Sequence, residues 1–300
     1  MIDQATQVKL IKIYTLICEK YETDLQFSCQ RFSNNKDPEF TDQEVITIYL
    51  FCVLVENRIK MKEMHQFIKR YYSSWFPKLH SYKAFVTRIN RLSPVFQRLS
   101  QTFMEDFIPE NVSDKFSLLD SMPIITCSGK RQGKVAKEIT DKSYCSTKRL
   151  YYHGVKLHAL ASHRKGHLPH PESIIISKAS ENDLKIYKEN WASIGNKTFF
   201  GDKIYVNKEF FDDLYEENNS EMLTPVKAIK DQPILLKQWD SAYNFVYSKA
   251  VSTVRQPIES FFNWLIEKTD IQRASKVRSY DGLQAHIFGK LAAAFLTFVF

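Results

Sequence analysis

The period of the hydrophobic pattern changes near residue 114, and this change limits the fold more than any other feature of the chain. Before it, apolar residues recur at three- and four-residue spacing, as in residues 5–35, which is the period of an amphipathic helix. Thr41 and Glu44 form a capping box that places a helix start at Thr41 and carries the helix through Val55. Further helical patterns cover 60–73, 81–92 and 94–108. We therefore predict that residues 1–110 form an all-helical domain.

After residue 114, short apolar runs that are typical of strands come first and then alternate with helical patterns. The predicted strands are Phe116–Leu119, Gly154–Ala161, Ser173–Ser177, Thr198–Phe200 and Glu221–Thr224. The predicted helices are 181–193, 207–218, 254–268 and 281–298. This order predicts an α/β domain over residues 111–300, in which helices flank a mixed five-stranded sheet.

Three acidic residues stand where catalytic groups are commonly found. Asp120 and Asp202 each follow an apolar run, so we expect each of them where a buried strand reaches solvent. Glu259 opens an amphipathic helix, and Pro257 precedes it at a position that proline favours in the first turn. Two aspartates and a helix-borne glutamate can converge on hard cations, which prefer oxygen ligands and also bind phosphates. Taken singly, a residue of this kind is more often a surface or capping residue than a metal ligand.

Four motifs contain these residues or lie between them. They are Leu119-Asp120-Ser121-Met122-Pro123-Ile124, Tyr151-Tyr152-His153-Gly154-Val155-Lys156-Leu157-His158-Ala159-Leu160, Gly201-Asp202-Lys203-Ile204-Tyr205 and Arg255-Gln256-Pro257-Ile258-Glu259. In this order they resemble a DDE-class transposase of a bacterial insertion sequence, most closely the group named after insertion sequence 982. The resemblance extends from the segment Phe40–Glu44 to the C-terminal helix, and the three acidic residues are 82 and 57 residues apart.

The resemblance implies a ribonuclease-H-like catalytic core, with Asp120 on the first strand, Asp202 after the fourth and Glu259 on a later helix. It also implies cleavage assisted by two divalent ions about 3.5–4 Å apart, which activate a water and compensate for charge on the leaving 3′ oxygen. Asp120 would bridge the two ions, and Asp202 and Glu259 would each complete one of them. Mg²⁺ suits such a set of oxygen ligands, and Mn²⁺ would substitute for it.

The basic residues near the motifs are candidates for contacts with DNA phosphates. Arg255 and Glu259 match the Tyr-x2-Arg-x3-Glu-x6-Lys signature of related insertion-sequence groups. Ser252 and Ile266 stand at its Tyr and Lys positions, so the other contacts of that signature cannot be carried over. The candidate DNA-binding residues are Lys156, Lys203, Arg255, Arg273, Lys276 and Arg278. For the last three, a solvated basic face is an equally good interpretation.

The balance of charged residues favours a polyanionic partner. Lys and Arg number 42 against 34 Asp and Glu, which gives a net charge of +8 and a pI near 9.0. Neutralising phosphates releases counterions, although a solvated basic surface would show the same balance. Five widely spaced cysteines without a C-x-x-C pair favour a reducing compartment. The polar N-terminal opening argues against a signal peptide, and no apolar run is long enough to span a membrane.

We therefore expect a DNA transposase of the bacterial cytosol, associated with the nucleoid and with double-stranded DNA as its partner. The helical domain would bind the terminal inverted repeats, and the core would cleave the element ends and join each 3′-OH to target DNA. We expect a homodimer on DNA, because two ends must be joined to one target. The apolar stripe of residues 281–298 can pack on the core or on a partner, and we expect it to pack on the core. A nuclease that cleaves without joining and a DNA-binding regulator with an inactive core are the alternatives.

Overall fold

The chain divides into two units in the computed structural model, which describes residues 3–29, 38–227, 229 and 231–300. One unit contains Met1–Phe107, Lys134–Glu138 and Leu265–Phe300, and the other contains Ile108–Gly133 and Ile139–Trp264. We call them the helical unit and the sheet unit. The C-terminal segment therefore groups with the N-terminal helices, whereas the sequence had placed it with residues 111–300.

The helical unit confirms the predicted helical patterns within the described residues. Its N-terminal helices are α1 (Gln4–Lys20), α2 (Gln26–Cys29), α3 (Asp42–Leu54), α4 (Met61–Tyr71), α5 (Tyr82–Arg91) and α6 (Ser93–Asp106). A π-helical turn, Tyr21–Leu25, connects the first two. Residues 30–35 of the predicted first helix lie outside the described residues.

The start of α3 is set by the capping box that the sequence predicted. The Thr41 hydroxyl accepts a hydrogen bond from the Glu44 amide at 3.2 Å, and the Glu44 carboxylate accepts one from the Thr41 amide at 2.6 Å. These two bonds satisfy amide groups that have no partner inside the helix. Ten of the thirteen residues of α3 are buried, so this helix forms the centre of the helical unit.

The C-terminal stripe is buried in the helical unit. Helix α12 (Tyr280–Phe295) packs against α3, α5 and α6, and a turn of 3₁₀ helix follows it. Leu283, Ile287, Leu291 and Phe295 have at most 1% of their surface exposed. The stripe therefore packs inside the chain, and the core that it helps to form is the helical one.

The described residues of the sheet unit form six strands, where the sequence predicted five. They are β1 (Phe116–Ser128), β2 (Asp141–Cys145), β3 (Leu150–Ser162), β4 (His170–Lys178), β5 (Thr198–Phe200) and β6 (Glu221–Leu223). The sequence missed β2, which lies in a polar and basic stretch. It also ended the first strand at Leu119, whereas β1 continues for nine further residues. Their order and direction nevertheless confirm a ribonuclease-H-like core.

The strand order is β2-β3-β1-β5-β6, and β4 also pairs with β3. Because β2 pairs with residues 150–154 of β3 and β4 with residues 155–162, these two strands share one position and the sheet is five strands wide. Strand β1 is antiparallel to β3 and parallel to β5, and β5 is parallel to β6. Hence β1 has neighbours on both sides and lies in the interior of the sheet.

The helices of the sheet unit include two that the sequence did not predict. The helices are α7 (Asp183–Asn190), α8 (Lys208–Asn218), α9 (Ile234–Tyr243), α10 (Phe245–Arg255) and the first part of α11 (Pro257–Thr269), whose residues from Leu265 onward group with the helical unit. Only the last residues of α10 were included in the predicted helix 254–268. No residue of α9 is buried. Its sequence therefore lacks the apolar stripe of a helix that packs on a core, and this is why the helix was not predicted. No helix among the described residues is long and apolar enough to cross a membrane.

We expect the buried side of α12 to contribute strongly to the stability of the helical unit. Ile287 is fully buried, whereas Ile11 on α1 of the same unit is 50% exposed. Ile287→Ala should lower the free energy of unfolding by about 2–5 kcal/mol, because it removes buried methyl groups and leaves a cavity. The control Ile11→Ala should change it by about 0.5 kcal/mol or less. Denaturant titrations followed by circular dichroism measure both, and equal losses would contradict the burial of α12.

Candidate active site

Asp120 lies on β1 at the point where its neighbour β5 ends. Leu118 pairs with Phe200, the last residue of β5. Asp120 and Asp202 each follow this pair by two residues, so the parallel register places them at the same level of adjacent chain segments. Asp120 is the fifth of thirteen residues in β1, so it lies inside the strand. The sequence had suggested that it lies at the end of the strand, which is wrong.

Asp202 begins a short 3₁₀ turn, Lys203–Tyr205, and its side chain is exposed. Its carbonyl accepts a hydrogen bond from the Tyr205 amide at 3.0 Å. The preceding Gly201 leaves no room for a side chain, since a Cβ there would lie 2.8 Å from the Tyr205 ring. Close packing at Gly201 therefore fixes the backbone just before Asp202. Because β2 precedes it, this aspartate follows the fifth strand and not the fourth.

Arg255 bridges Asp120 and Glu259. Its guanidinium donates to Asp120 Oδ2 at 2.7 Å and also to Glu259 Oε1. Arg255 is the last residue of α10, and Pro257 then begins α11, so Glu259 follows Arg255 by four residues across a helix junction. The Arg255 side chain is 12% exposed, compared with 24% for Asp120 and 51% for Glu259. The sequence had interpreted Arg255 as a DNA contact and did not predict that it pairs with these two carboxylates.

Asp120 and Arg255 influence each other's pKa values, and Glu259 influences both. Burial and, more weakly, the nearby Glu259 raise the pKa of Asp120 to about 6, although Arg255 acts to lower it. Burial by itself lowers the pKa of Arg255, but Asp120, Glu259 and Asp202 together bring it above the usual value. All three predicted carboxylates therefore act on a single guanidinium. We call Asp120, Asp202, Glu259 and Arg255 the carboxylate–arginine cluster.

The cluster has the right donor atoms for a divalent cation, but it is not a preformed metal site. Carboxylate oxygens are the ligands that Mg²⁺ prefers. Among the described residues, however, no group of three His, Cys, Asp or Glu side chains is arranged to hold a metal ion. The arginine supplies the positive charge that a cation would otherwise bring.

The other candidate DNA-binding residues differ in how freely they can reach a phosphate. Lys156 is 18% exposed and donates to Asp183 Oδ1 at 3.0 Å. Lys203 is exposed and forms no ion pair with a described carboxylate. In the helical unit, Arg273, Lys276 and Arg278 are exposed, with Arg273 3.9 Å from Asp270. Their contacts with DNA stay predictions.

Asp183 is a residue that the sequence analysis missed. It opens α7 and, besides Lys156, accepts a hydrogen bond from Ser121 at 3.2 Å. His158 lies 3.6 Å from the same carboxylate and shares a 2.7 Å hydrogen bond with Ser177. Burial lowers the pKa of His158 to about 4, so this histidine is a neutral core residue. The N-cap residue Asn182, just before an apolar periodic segment, was the signal that marks the start of this helix.

We expect Asp120 and Arg255 to be energetically coupled, because both are largely withdrawn from solvent. A double-mutant cycle with Asp120→Asn and Arg255→Gln should give a coupling of about 0.5–3 kcal/mol in the free energy of unfolding. A matched cycle in the same unit uses Lys185 and Glu189, whose side chains are 56% and 54% exposed at 3.9 Å separation. This exposed pair should show no measurable coupling. Additive effects at Asp120 and Arg255 would mean that the ion pair does not form.

Comparison with known protein families agrees with this geometry. A family model described as "Transposase DDE domain" matches residues 113–296, which is more than half of the chain and includes Asp120, Asp202 and Glu259. No curated protein and no solved structure matches the chain. The family match covers the six strands and the three predicted acidic residues, and it extends into α12. The chain therefore belongs to the family of transposases with a DDE domain.

Proposed function

We propose that this chain is the transposase of a bacterial insertion sequence in the group named after insertion sequence 982. In this proposal it binds the terminal inverted repeats, cleaves the DNA at the element ends and joins each freed 3′-OH to target DNA by transesterification. The observation that carries the proposal is the meeting of Asp120 and Glu259 on Arg255, with Asp202 at the same level of the sheet. A protein that only bound DNA would have no physical need for three carboxylates around one point.

The carboxylates of Asp120, Asp202 and Glu259 would hold the divalent cation, which is Mg²⁺ in this proposal, with Mn²⁺ as a substitute. When bound, such ions activate the attacking water or 3′-OH and neutralise charge on the leaving oxygen. Glu259 lies in the first turn of α11, where the helix dipole favours negative charge. Arg255 keeps the partly buried Asp120 paired until the cation and substrate arrive. Its guanidinium can then turn to a phosphate of the DNA.

Lys203 is the cation that lies closest in sequence to the site and has no carboxylate partner among the described residues. We propose that it contacts a phosphate next to the cleaved bond. Lys156 would have to leave Asp183 to do the same, so its contribution depends on a rearrangement of that pair. Arg273, Lys276 and Arg278 would add contacts from the helical unit.

Replacing any one carboxylate should slow cleavage strongly while DNA binding persists. Asp120→Asn, Asp202→Asn and Glu259→Gln should each slow Mg²⁺-dependent nicking by about 10³-fold, because the loss of a ligand removes several kcal/mol of charge stabilisation. The substrate is a labelled duplex that carries the inverted repeat next to the coding frame, and binding is measured by gel shift. Asp212→Asn, an exposed carboxylate on α8, is the matched control and should nick normally.

The products of the same reaction test the transposase assignment. The wild-type protein should transfer the labelled 3′ end to a target plasmid. Nicking without transfer would point to a nuclease, and binding without nicking in Mg²⁺ or Mn²⁺ would point to a regulator. A loss of binding equal to the loss of cleavage in the carboxylate variants would indicate misfolding and would remove the support for a catalytic role.

We also propose that two copies of the chain act together on DNA. Joining two element ends to one target requires two active sites in a fixed relation, and one chain contains one carboxylate–arginine cluster among its described residues. Light scattering should find two protein copies in the complex with two end duplexes, and one copy or a weak dimer without DNA. A complex with a single copy that joins both ends would overturn this part of the proposal.

A further inference from the structure

The positive charge of the chain is concentrated in one short part of the helical unit. Residues 57–92, which contain α4, α5 and their connection, carry nine Lys and Arg and a single acidic residue, Glu63. This segment alone thus accounts for a net charge of +8, which equals that of the whole chain. Everywhere else basic and acidic residues are equal in number. We call residues 57–92 the basic segment.

Four of its nine cations are already paired with carboxylates. Arg88 and Arg91 both bind Asp42, Lys60 binds Glu63, and Lys78 binds Glu39. The other five form no ion pair with any carboxylate in the part of the chain that the structure describes. These five are Arg58, Lys62, Lys69, Arg70 and Lys83. A cluster of unpaired cations on one segment is the electrostatic footprint of a polyanion partner.

Helix α5 presents small and basic side chains on its outer face. Lys83, Ala84 and Thr87 are exposed, while Phe85 and Ile89 are fully buried. The exposed positions are spaced by three and four residues and thus lie on one side of the helix. They line a surface depression of about 410 Å³ together with Ser81, Arg88 and Arg91. Because Ala84 and Thr87 beside Lys83 are small, a large partner can approach the backbone of α5 closely.

The orientation of α5 is fixed by a buried ion pair. Arg88 is 7% exposed and Asp42 4% exposed, and the Arg88 Nε donates to Asp42 Oδ1 at 2.8 Å. Arg88 also donates to the carbonyl of Phe40. Because a buried charge is costly without its partner, rotation of α5 about its axis is strongly opposed. Arg88 therefore holds the helix in place.

Helix α4 adds a second exposed stripe, which consists of Lys62, Gln66, Lys69 and Arg70. These residues are also spaced by three and four positions, and the opposite side of α4 is buried through Met64 and Ile68. The Arg70 guanidinium stays near the Tyr71 ring, at 5.4 Å, and not near a carboxylate. Cations in such a row suit successive phosphates of a backbone better than the edges of bases.

We propose that α5 enters the major groove of duplex DNA and reads base edges through Lys83, Ala84 and Thr87, while α4 holds the adjacent phosphates. The proposal rests on the proposed function, since it names the element that recognises the DNA ends. A major groove about 12 Å wide admits one helix, and the N-terminal residues of such a helix contact the bases. A lysine can donate to guanine O6 and N7, and the Ala and Thr methyl groups can contact the thymine methyl.

The test separates base reading from phosphate binding in the full-length protein. A pool of random-sequence duplexes is passed over wild type, Lys83→Ala, Thr87→Val, and the double variant Lys69→Ala with Arg70→Ala. Lys83→Ala and Thr87→Val should enrich a sequence that differs from the wild-type one at one or two positions, with preference there reduced about ten-fold or more. The α4 variant should enrich the same sequence as wild type but bind it more weakly. The slope of log affinity against log salt concentration should be smaller by about two, since about two phosphate contacts are lost.

Lys165→Ala, an exposed lysine of the sheet unit outside the basic segment, should behave like wild type. An unchanged enriched sequence in both α5 variants, with wild-type selection intact, would overturn the role of α5 and leave the transposase assignment standing. Binding by wild type without any enriched sequence would overturn base reading as well. If the wild-type protein bound no duplex at all, both the inference and the proposed function would fall. Circular dichroism should show that every variant retains the wild-type fold.

Discussion

The charge of Asp120 is the constraint on which the arrangement of the sheet unit depends. A carboxylate on an interior strand is partly withdrawn from water, so its charged form needs a cation close by. Arg255 supplies that cation from a position 135 residues later in the chain. The junction between α10 and α11 places Arg255 where it binds both Asp120 and Glu259.

Strand β1 contributes an apolar side chain to the core on one face and a charged side chain to the candidate active site on the other. Leu119 points into an apolar cluster with Leu160, Tyr187 and Phe199, which anchors the strand. The next residue, Asp120, faces Arg255 instead, because successive side chains of a strand point to opposite faces. The rigid apolar packing on one side thus holds the charged group on the other side in place, as a site that binds a substrate requires.

The two units differ in how they use their cations. In the sheet unit Lys156, Lys197 and Arg255 each donate to a carboxylate of the same unit, so much of its charge is neutralised internally. In the helical unit the basic segment keeps several cations unpaired on the outside of α4 and α5. If the proposals above hold, affinity for DNA comes mainly from the helical unit, and the chemistry comes from the sheet unit.

The sequence by itself determined the features that depend on neighbouring residues. Helix periods, the capping box at Thr41, the apolar strand runs and the three acidic residues in their motifs could all be recognised there, since each is encoded within a few positions. Tertiary structure decided that β1 continues past Asp120, that α12 joins the N-terminal helices, and that Arg255 binds two carboxylates. The elements β2, α9 and α10 were likewise recognised only in the structure. These features depend on strand register and on the cost of burying charge between residues far apart in the chain, and no local pattern records either.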